Sequence, residues 1–370
     1  MAFHWMVLYG LIVLIVLAKV YGKRALRHVT YERHFSREAA FEGETIEMVE
    51  RIANRKLLPV PWLQMESVLS RHLVFGRQEN FGVSRGELFQ HHISLFSLRP
   101  YRRIVRRHQV RLAKRGWYRL ESVTMTAGDP FGLVRAARKF PVSLTLLVYP
   151  RAVPLYELPL PNHGWLGELP VRRWIVEDPF LASGVREYQF GDPPNAVHWK
   201  ATARTGRLQV HRREPTADHR LVICLNVEVT ETMWKTVTDP ERIEEGIRYA
   251  ASVAEYALRH GIETGFLCNG WLAGGAREPV YIPPASGTSH LTDLLEAMAK
   301  LELETTGRMA RLLEREATQS DASLDFLLIT CHQGEALRQA AALAESLGHG
   351  VEWMFIPERK GEAAHAQVQA

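Results

Sequence analysis

The run DHRLVICLNVEV (218–229), with DPERIEEGIRYAASVAEYALRHG (239–261) after it, decides the fold of the C-terminal half. Leu221 to Leu225 is an unbroken apolar core, as in a strand buried on both faces. In the second stretch Ile243, Ile247, Ala250, Ala254, Ala257 and Leu258 recur at helical spacing and share one face. Asp239 is its expected N-cap, Pro240 sits in its first turn, and Gly261 ends it. The alternation continues: strands at 262–268 and 279–282, helices at 289–302 and 306–318, a strand at 323–330, a helix at 335–347 and a strand at 351–356. Strands alternating with helices of this length predict an α/β domain over 220–357, built on a parallel sheet covered on both faces. Residues 358–370 form a polar tail.

Upstream the pattern changes. GETIEMVERIAN (43–54) alternates apolar and polar residues, and further strands are expected at 91–98, 105–112, 117–126 and 142–149. Pro59 and Pro61 in LLPVPWLQMESVL argue against a central strand there. Turns are marked by Lys114-Arg115-Gly116 and Gly128-Asp129-Pro130. Residues 28–150 therefore read as a small β-sandwich-like domain, and 151–219, irregular and rich in proline, as a connecting region.

The N-terminus is of another kind. No charged side chain lies between Met1 and Lys19, and Met6 to Ala18 is apolar apart from Gly10. About 18 residues at ~1.5 Å rise span roughly 27 Å, close to the hydrocarbon thickness of a bilayer. Residues 1–22 are expected to be a transmembrane anchor. A secretory signal would carry a basic leader and a small-residue cleavage site, and neither is seen. Lys19, Lys23, Arg24 and Arg27 follow the apolar run, so the positive-inside rule predicts a single-pass protein of the cell membrane with cytoplasmic domains. Trp5 and Tyr21 sit where interfacial aromatics belong.

The 370 residues, 46% hydrophobic and 24% charged, supply more than one core, and a net charge of +5 is too small to imply nucleic acid. Cys224, Cys268 and Cys331 lie far apart in apolar runs without metal-ligand spacing. They read as reduced, buried thiols.

Two constellations bear on function. The first is VREYQFGDPPNAVHWKATAR (185–204), which packs Arg186, Glu187, Tyr188, Asp192, His198, Trp199, Lys200 and Arg204 around a turn beginning at Gly191. Ser183, His198 and Asp192 do not sit in a nucleophile-elbow context. His198 and His211 lack a third metal ligand. The stretch reads better as a clamp between domains, with Asp192 accepting backbone N–H bonds and Trp199 burying its ring. The second is LRPYRRIVRRHQVRLAKRGWYR (98–119), with nine Arg or Lys and no acid. Arg102, Arg103, Arg106, Arg107 and Arg111 interleave with apolar residues, as on the outer face of strands. That pattern reads first as a solvated strand face, then as a surface for membrane lipid or a partner, and last as one for nucleic acid.

The stretch GVREYQFGDPPNAVHWKATARTGRLQVHRREP (184–215) resembles the signature of the bacterial family known as Domain of Unknown Function fifty-eight. NRKLLPVPWLQMES (54–67) and RGWYRLESVTMTAGDPFGLVRAARKFPVSLTLLVYPR (115–151) support the resemblance. It implies a membrane anchor, a β-domain and a von Willebrand factor A-like (Rossmann-type) C-terminal domain. It also implies association with MoxR-type AAA+ ATPases and transglutaminase-like membrane proteins of the same system. The chain departs from the family pattern in three places. Asn195-Ala196 stand where arginines often follow the Gly-Asp turn, and one apolar span stands where two are usual. The third departure concerns Asp-x-Ser-x-Ser, which carries Mg²⁺ in von Willebrand A domains; here Asn226, Glu228 and Thr230 occupy that place, so the metal site is expected to be degenerate.

The resulting expectation is a membrane-anchored, non-enzymatic adaptor or assembly factor with no cofactor, acting with a MoxR-type ATPase. One alternative is a hydrolytic enzyme using Asp192, His198 and Glu187. Another is a lipid or nucleic-acid binder using the basic 99–119 segment.

Overall fold

The computed structural model describes residues 2–76, 81–85, 89–159, 177–188, 197–215, 220–233, 237–320 and 322–358. The chain divides into two compact units: Met1–Arg151 with Leu295–Lys300, and Ala152–Leu294 with Leu301–Ala370.

The first unit begins with helix α1 (Ala2–Arg24), long and apolar enough to cross a membrane and exposed along its apolar length. Among the described residues ten strands follow: β1 (Val29–Phe35), β2 (Ala39–Phe41), β3 (Thr45–Asn54), β4 (Val60–Ser70), β5 (Leu73–Phe75), β6 (Phe81–Arg85), β7 (Phe89–Leu98), β8 (Arg103–Leu112), β9 (Gly116–Gly128) and β10 (Arg135–Tyr149). They form a four-stranded sheet, β1-β3-β8-β5, and a six-stranded sheet, β2-β10-β9-β4-β7-β6. Every pairing is antiparallel except β2 with β10. Ile46, Met48, Ile52 and Val110 of one sheet cluster with Leu63, Met65, Val123 and Leu146 of the other. The end of α1 joins this core through Tyr21, with Ala25 and Leu26 just beyond it.

Strand β4 corrects one expectation. It lies between β9 and β7, away from the sheet edge, although Pro61 is its second residue. The register with β7 shifts between Val60 and Leu63, and pairing with β9 begins at Leu63. Pro61 therefore falls at an irregular strand start, where its missing N–H breaks no ladder.

The interior also holds polar groups. Arg33 of β1 donates to Glu50 of β3 and, at 3.2 Å, to Ser67 Oγ of β4. Tyr31 Oη donates to Glu50 Oε1 (3.0 Å), and His108 of β8 bonds Glu50 Oε2 (3.1 Å). Strand β7 turns Gln90, His92 and Ser94 toward this cluster and leaves Phe89, Ile93 and Leu95 outside.

In the second unit β11 (Glu177–Glu187) and β12 (Gln209–Pro215) form a two-stranded antiparallel ribbon, with the short helix α2 (Trp199–Thr205) between them in sequence. Then come β13 (Arg220–Leu225), α3 (Pro240–Arg259), β14 (Glu263–Cys268), β15 (Trp271–Leu272), β16 (Val280–Ala285), α4 (Thr288–Lys300, of which Leu295–Lys300 belongs to the first unit), β17 (Leu301–Glu302), α5 (Met309–Gln319), β18 (Leu324–Thr330), α6 (Glu335–Ser346) and β19 (Gly350–Phe355). The five-stranded sheet has the order β16-β14-β13-β18-β19. Four strands are parallel and β16 is antiparallel to β14. The purely parallel sheet expected from the sequence is thus a mixed one. The reason is local: 269–279 contains no helix, so β16 returns directly alongside β14.

Helix α3 forms as its sequence dictates. Asp239 Oδ1 accepts from Arg242 N at 3.1 Å, Ile243, Ile247 and Ala250 are buried, and Gly261 takes the left-handed conformation (φ +80°) just past its end.

Candidate functional site at the carboxyl edge of the sheet

In open α/β sheets, ligands gather at the carboxyl ends of the strands, where neighbouring connections leave in opposite directions. Here β13 is followed in the sheet by β14 on one side and β18 on the other. The loops leaving these three strands bring together Asn226, Glu228, Asn269 and Thr330, and α5 begins beside them.

Asn226 is buried, and its Oδ1 accepts from Glu228 N (3.0 Å) and Asn269 Nδ2 (3.1 Å), while its Nδ2 donates to Thr330 Oγ1 (3.2 Å). Glu228 is buried too. Its Oε2 accepts from Met309 N at 3.1 Å and Asn269 Nδ2 at 3.3 Å, and its Oε1 from Arg308 Nη1 at 3.0 Å. The carboxylate thus sits on the N-terminus of α5, where helix dipole and free N–H favour negative charge. Arg308 also donates to the Glu231 carbonyl. The Glu231 side chain caps the next helix, accepting from Glu335 N of α6 at 3.1 Å. Gly334 permits that approach, since a Cβ there would come within 2.8 Å of Glu231 Cδ.

Beside this network lies a cavity of about 380 Å³, lined by Glu228, Glu231, Arg308, Arg311, Glu314 and His332 among others. Burial holds the His332 imidazole below its ordinary pKa, against the opposing pull of Glu228 and Glu231. Burial likewise pushes the neighbouring Cys331 thiol up to about 11, Arg242 pulling it down and Asp239 adding to the rise. A thiol so placed is not a nucleophile at neutral pH.

These residues do not fit a divalent cation. Mg²⁺ requires several oxygens free to turn toward it in near-octahedral order. The oxygens of Asn226 and Glu228 are taken by N–H donors, and a guanidinium already supplies the positive charge. Among the described residues no three His, Cys, Asp or Glu side chains converge as a metal set.

The three positions singled out in sequence divide accordingly. Asn226 and Glu228 converge, whereas Thr230 is exposed in the turn beyond them. Asn269, Glu231 and Arg308 were missed. They lie on separate loops whose meeting depends on strand order.

The signature stretch is partly described. Arg186 and Glu187 pair by backbone with Val210 and Gln209. Tyr188 follows, donating its N–H to Leu208 O at 2.9 Å. Gly191 and Asp192 lie outside the described residues. His198 is the N-cap of α2, its Nδ1 accepting from Ala201 N at 3.0 Å. Trp199 corrects an expectation: it is 70% exposed, because α2 turns its first residue to solvent. Lys200 and Arg204 are exposed as well. Of the basic residues, Arg103, Arg107 and Arg111 project outward from β8, and Arg102 is exposed just before it. Arg106 does not join them. By strand alternation it points inward, with its guanidinium 4.8 Å from the Phe96 ring centroid.

The range that carries both the ribbon and the strand-end network decides the family comparison. Residues 184–330 match the family described as "Protein of unknown function DUF58". The match begins at the signature and ends at Thr330, so it takes in Asn226, Glu228, Asn269 and Arg308. The chain is also 21% identical over 369 residues to the "Uncharacterized protein YeaD" of Bacillus subtilis (strain 168), covering 98% of this chain and 84% of that one. Solved structures with partial likeness include the full-length major pilin SpaD from Corynebacterium diphtheriae. It shows 8% identity and a TM-score of 0.25, covering 31% of this chain and 35% of that one. A non-cellulosomal cohesin from Archaeoglobus fulgidus shows 13% identity and a TM-score of 0.22, covering 32% and 91%. At such scores neither likeness defines the fold.

Proposed function

We propose that this protein is a membrane-anchored, non-enzymatic adaptor that acts with a MoxR-type AAA+ ATPase through protein–protein contacts. The observation that supports this reading is the filled carboxyl edge of the sheet. There the N-termini of α5 and α6 hold the chain's own Glu228 and Glu231, as Asp239 caps that of α3, and Arg308 already supplies positive charge to Glu228. We read the second unit as von Willebrand factor A-like, with its sheet order and the Asn226–Glu228 loop after β13 in support. Its metal-dependent adhesion chemistry is replaced by an internal ion pair.

The anchor reading has its own support. Tyr21 of α1, with Ala25 and Leu26 just past its end, belongs to the core of the β-domain. Cleaving α1 away as a signal sequence would take these side chains, or their continuity, out of a formed core. The basic residues after α1 support a cytoplasmic side for the domains.

The test is crosslinking in intact membranes followed by mass spectrometry of the purified full chain. A MoxR-type ATPase is expected as a recurrent crosslinked partner, and its consistent absence overturns the proposal. In parallel, Mg²⁺ added to the purified protein should leave the melting temperature unchanged. A clear upward shift would show a cation bound to the native state and defeat the ion-pair reading.

A further inference from the structure

The end of the first unit where α1 enters the sandwich carries features that anchoring alone does not require. Four connections meet there: 25–28, 55–59, 99–102 and 129–134. Hydrogen bonds tie the first three together, and the fourth is held beside them by β4 and α1. Arg55 N donates to His28 O (2.9 Å), Asn54 N to Arg102 O (2.9 Å), and Tyr101 N to Lys56 O (3.3 Å). The buried Asn54 side chain spans the carbonyls of Leu58 (2.9 Å) and Arg99 (3.2 Å). Trp62 Nε1 donates to Asp129 O at 3.0 Å, and Gly22 lies so near Val134 that a Cβ would sit 3.0 Å from its Cγ1.

Three of these loops raise large apolar groups into solvent: Leu57 is 75% exposed, Tyr101 70%, Phe131 63% and Leu133 61%. Tyr101 is held there by left-handed backbone (φ +52°), which a bulky residue rarely adopts. The 131–133 tip is also fixed, because the Asp129 carboxylate accepts from Phe131 N (3.0 Å) and Val134 N (2.6 Å). Arg27, Arg55, Arg99 and Arg102 of these connections, and Lys23 and Arg24 at the end of α1, are exposed. The one acid in the four connections is Asp129, which is buried and occupied with the backbone.

We propose that this rim is a second membrane contact, for an anionic bilayer surface. Leu57, Tyr101, Phe131 and Leu133 enter the interfacial layer, and the basic residues meet headgroup phosphates. The proposal rests on the reading of α1 as a membrane span. Apolar tips with flanking cations are the composition of interfacial binding, aromatic residues favour the headgroup level, and basic residues next to a span are drawn to anionic lipid. Because Tyr21 packs into the domain core, the span and the rim move as one piece. The domain is thereby set on the membrane in one orientation rather than swinging from a tether.

The experiment uses the full chain reconstituted in vesicles that contain a photoactivatable diazirine phosphatidylcholine, with labelled peptides read by mass spectrometry. In bilayers rich in phosphatidylglycerol, labelling is expected in peptides bearing Leu57, Tyr101 and Phe131 as well as in 2–24. In pure phosphatidylcholine the rim labelling should fall several-fold while that of 2–24 holds. The paired variants Arg55→Glu/Arg102→Glu and Tyr101→Ser/Phe131→Ser alter exposed groups and should each lower rim labelling several-fold without changing the melting temperature. Labelling confined to 2–24 overturns the rim and leaves the anchor standing. Labelling in neither overturns the anchor reading and the rim with it. Rim labelling indifferent to lipid charge and to the arginine pair overturns the assignment of headgroup contacts.

Discussion

Arg308 and Glu228 form the contact on which the candidate site turns, and their unequal exposure sets its strength. Glu228 is buried, while the Arg308 side chain is 45% exposed, so water screens the pair on one side. Arg308→Ala should cost about 1–2 kcal/mol, above a surface ion pair but below a fully buried one. Arg308→Lys keeps the charge but not the planar guanidinium whose Nη1 donates to both Glu228 and the Glu231 carbonyl, and should recover only part of the loss. Glu228→Ala strands the Met309 N–H and takes the carboxylate from Arg308, while the Asn269 amide keeps Asn226 Oδ1 and Gly307 O, and should cost roughly 2–3 kcal/mol. Denaturant unfolding of the three variants measures all of this. The buried groups of the β-domain predict a pH dependence. Burial alone would raise the Glu50 pKa, but Arg33 and His108 overcome it and hold the carboxyl at about 2. Burial, reinforced by Arg33, holds His92 at about 4. Unfolding releases His92 to ordinary basicity and takes up a proton between about pH 6.5 and 4, so stability falls as pH drops through that window. Glu50 adds a second loss between about 4.5 and 2. Melting curves of His92→Gln should show a smaller first decline, His332 also contributing there, and keep the second. At this scale the sequence was a partial guide. Asn226 and Glu228 were legible because they follow a strand that announces itself, but Arg308 lies about eighty residues away and carries no mark of its partner.

Helix α3 shows how an element can reverse a local propensity. Gly246 lies in its middle, where replacement by alanine ordinarily gains close to 1 kcal/mol. Here an added Cβ would come 2.5 Å from Ile356 Cδ1 and 3.2 Å from Leu225 Cδ1, and both side chains are fully buried. The glycine lets the helix settle against β13, and overpacking typically costs 1–3 kcal/mol. Gly246→Ala should therefore destabilise by about 1–2 kcal/mol, and a gain in denaturant stability would show that the helix can shift outward. The helix itself was readable, from Asp239 to Gly261, because cap, first-turn proline and apolar spacing agreed. Strand β7 was harder. Its two phases contrast in the misleading direction: Phe89/His91/Ile93/Leu95, the more apolar, faces out, and Gln90/His92/Ser94/Phe96 faces in. Its register with β4, which sets Phe96 opposite Leu63 and His92 opposite Ser67, selects the second phase for the interior. The polar members of that phase then belong with the buried Arg33–Glu50 pair, which no periodicity reveals. The antiparallel β16 was lost for a similar reason: its direction follows from a helix-free return that looks in sequence like any other loop.

Across the whole chain, the apolar start was the plainest signal, and its attachment to the β-domain was the least visible. Periodicity sees the length of α1; it does not see that Tyr21 and Leu26, on either side of the helix end, turn into the core while Lys23 and Arg24 between them stay in solvent. This junction yields a prediction that separates anchoring from folding. Removal of residues 1–18 takes away the membrane-crossing length but leaves every α1 residue fully buried in the β-domain core. The shortened protein should leave the membrane fraction and melt close to the full chain in detergent. Removal of residues 1–26 also takes Tyr21, Ala25 and Leu26. Each large apolar side chain so lost is worth roughly 1.5–3 kcal/mol at most, so Tyr21 and Leu26 together amount to several kcal/mol. That is a large share of the ~5–15 kcal/mol that holds a typical domain. The longer truncation should melt far lower or fail to accumulate. Fractionation with melting of both truncations reads the two effects separately. Equal melting of the two would mean that the helix end is a passive tether, and the β-domain would then be free to turn at the membrane surface.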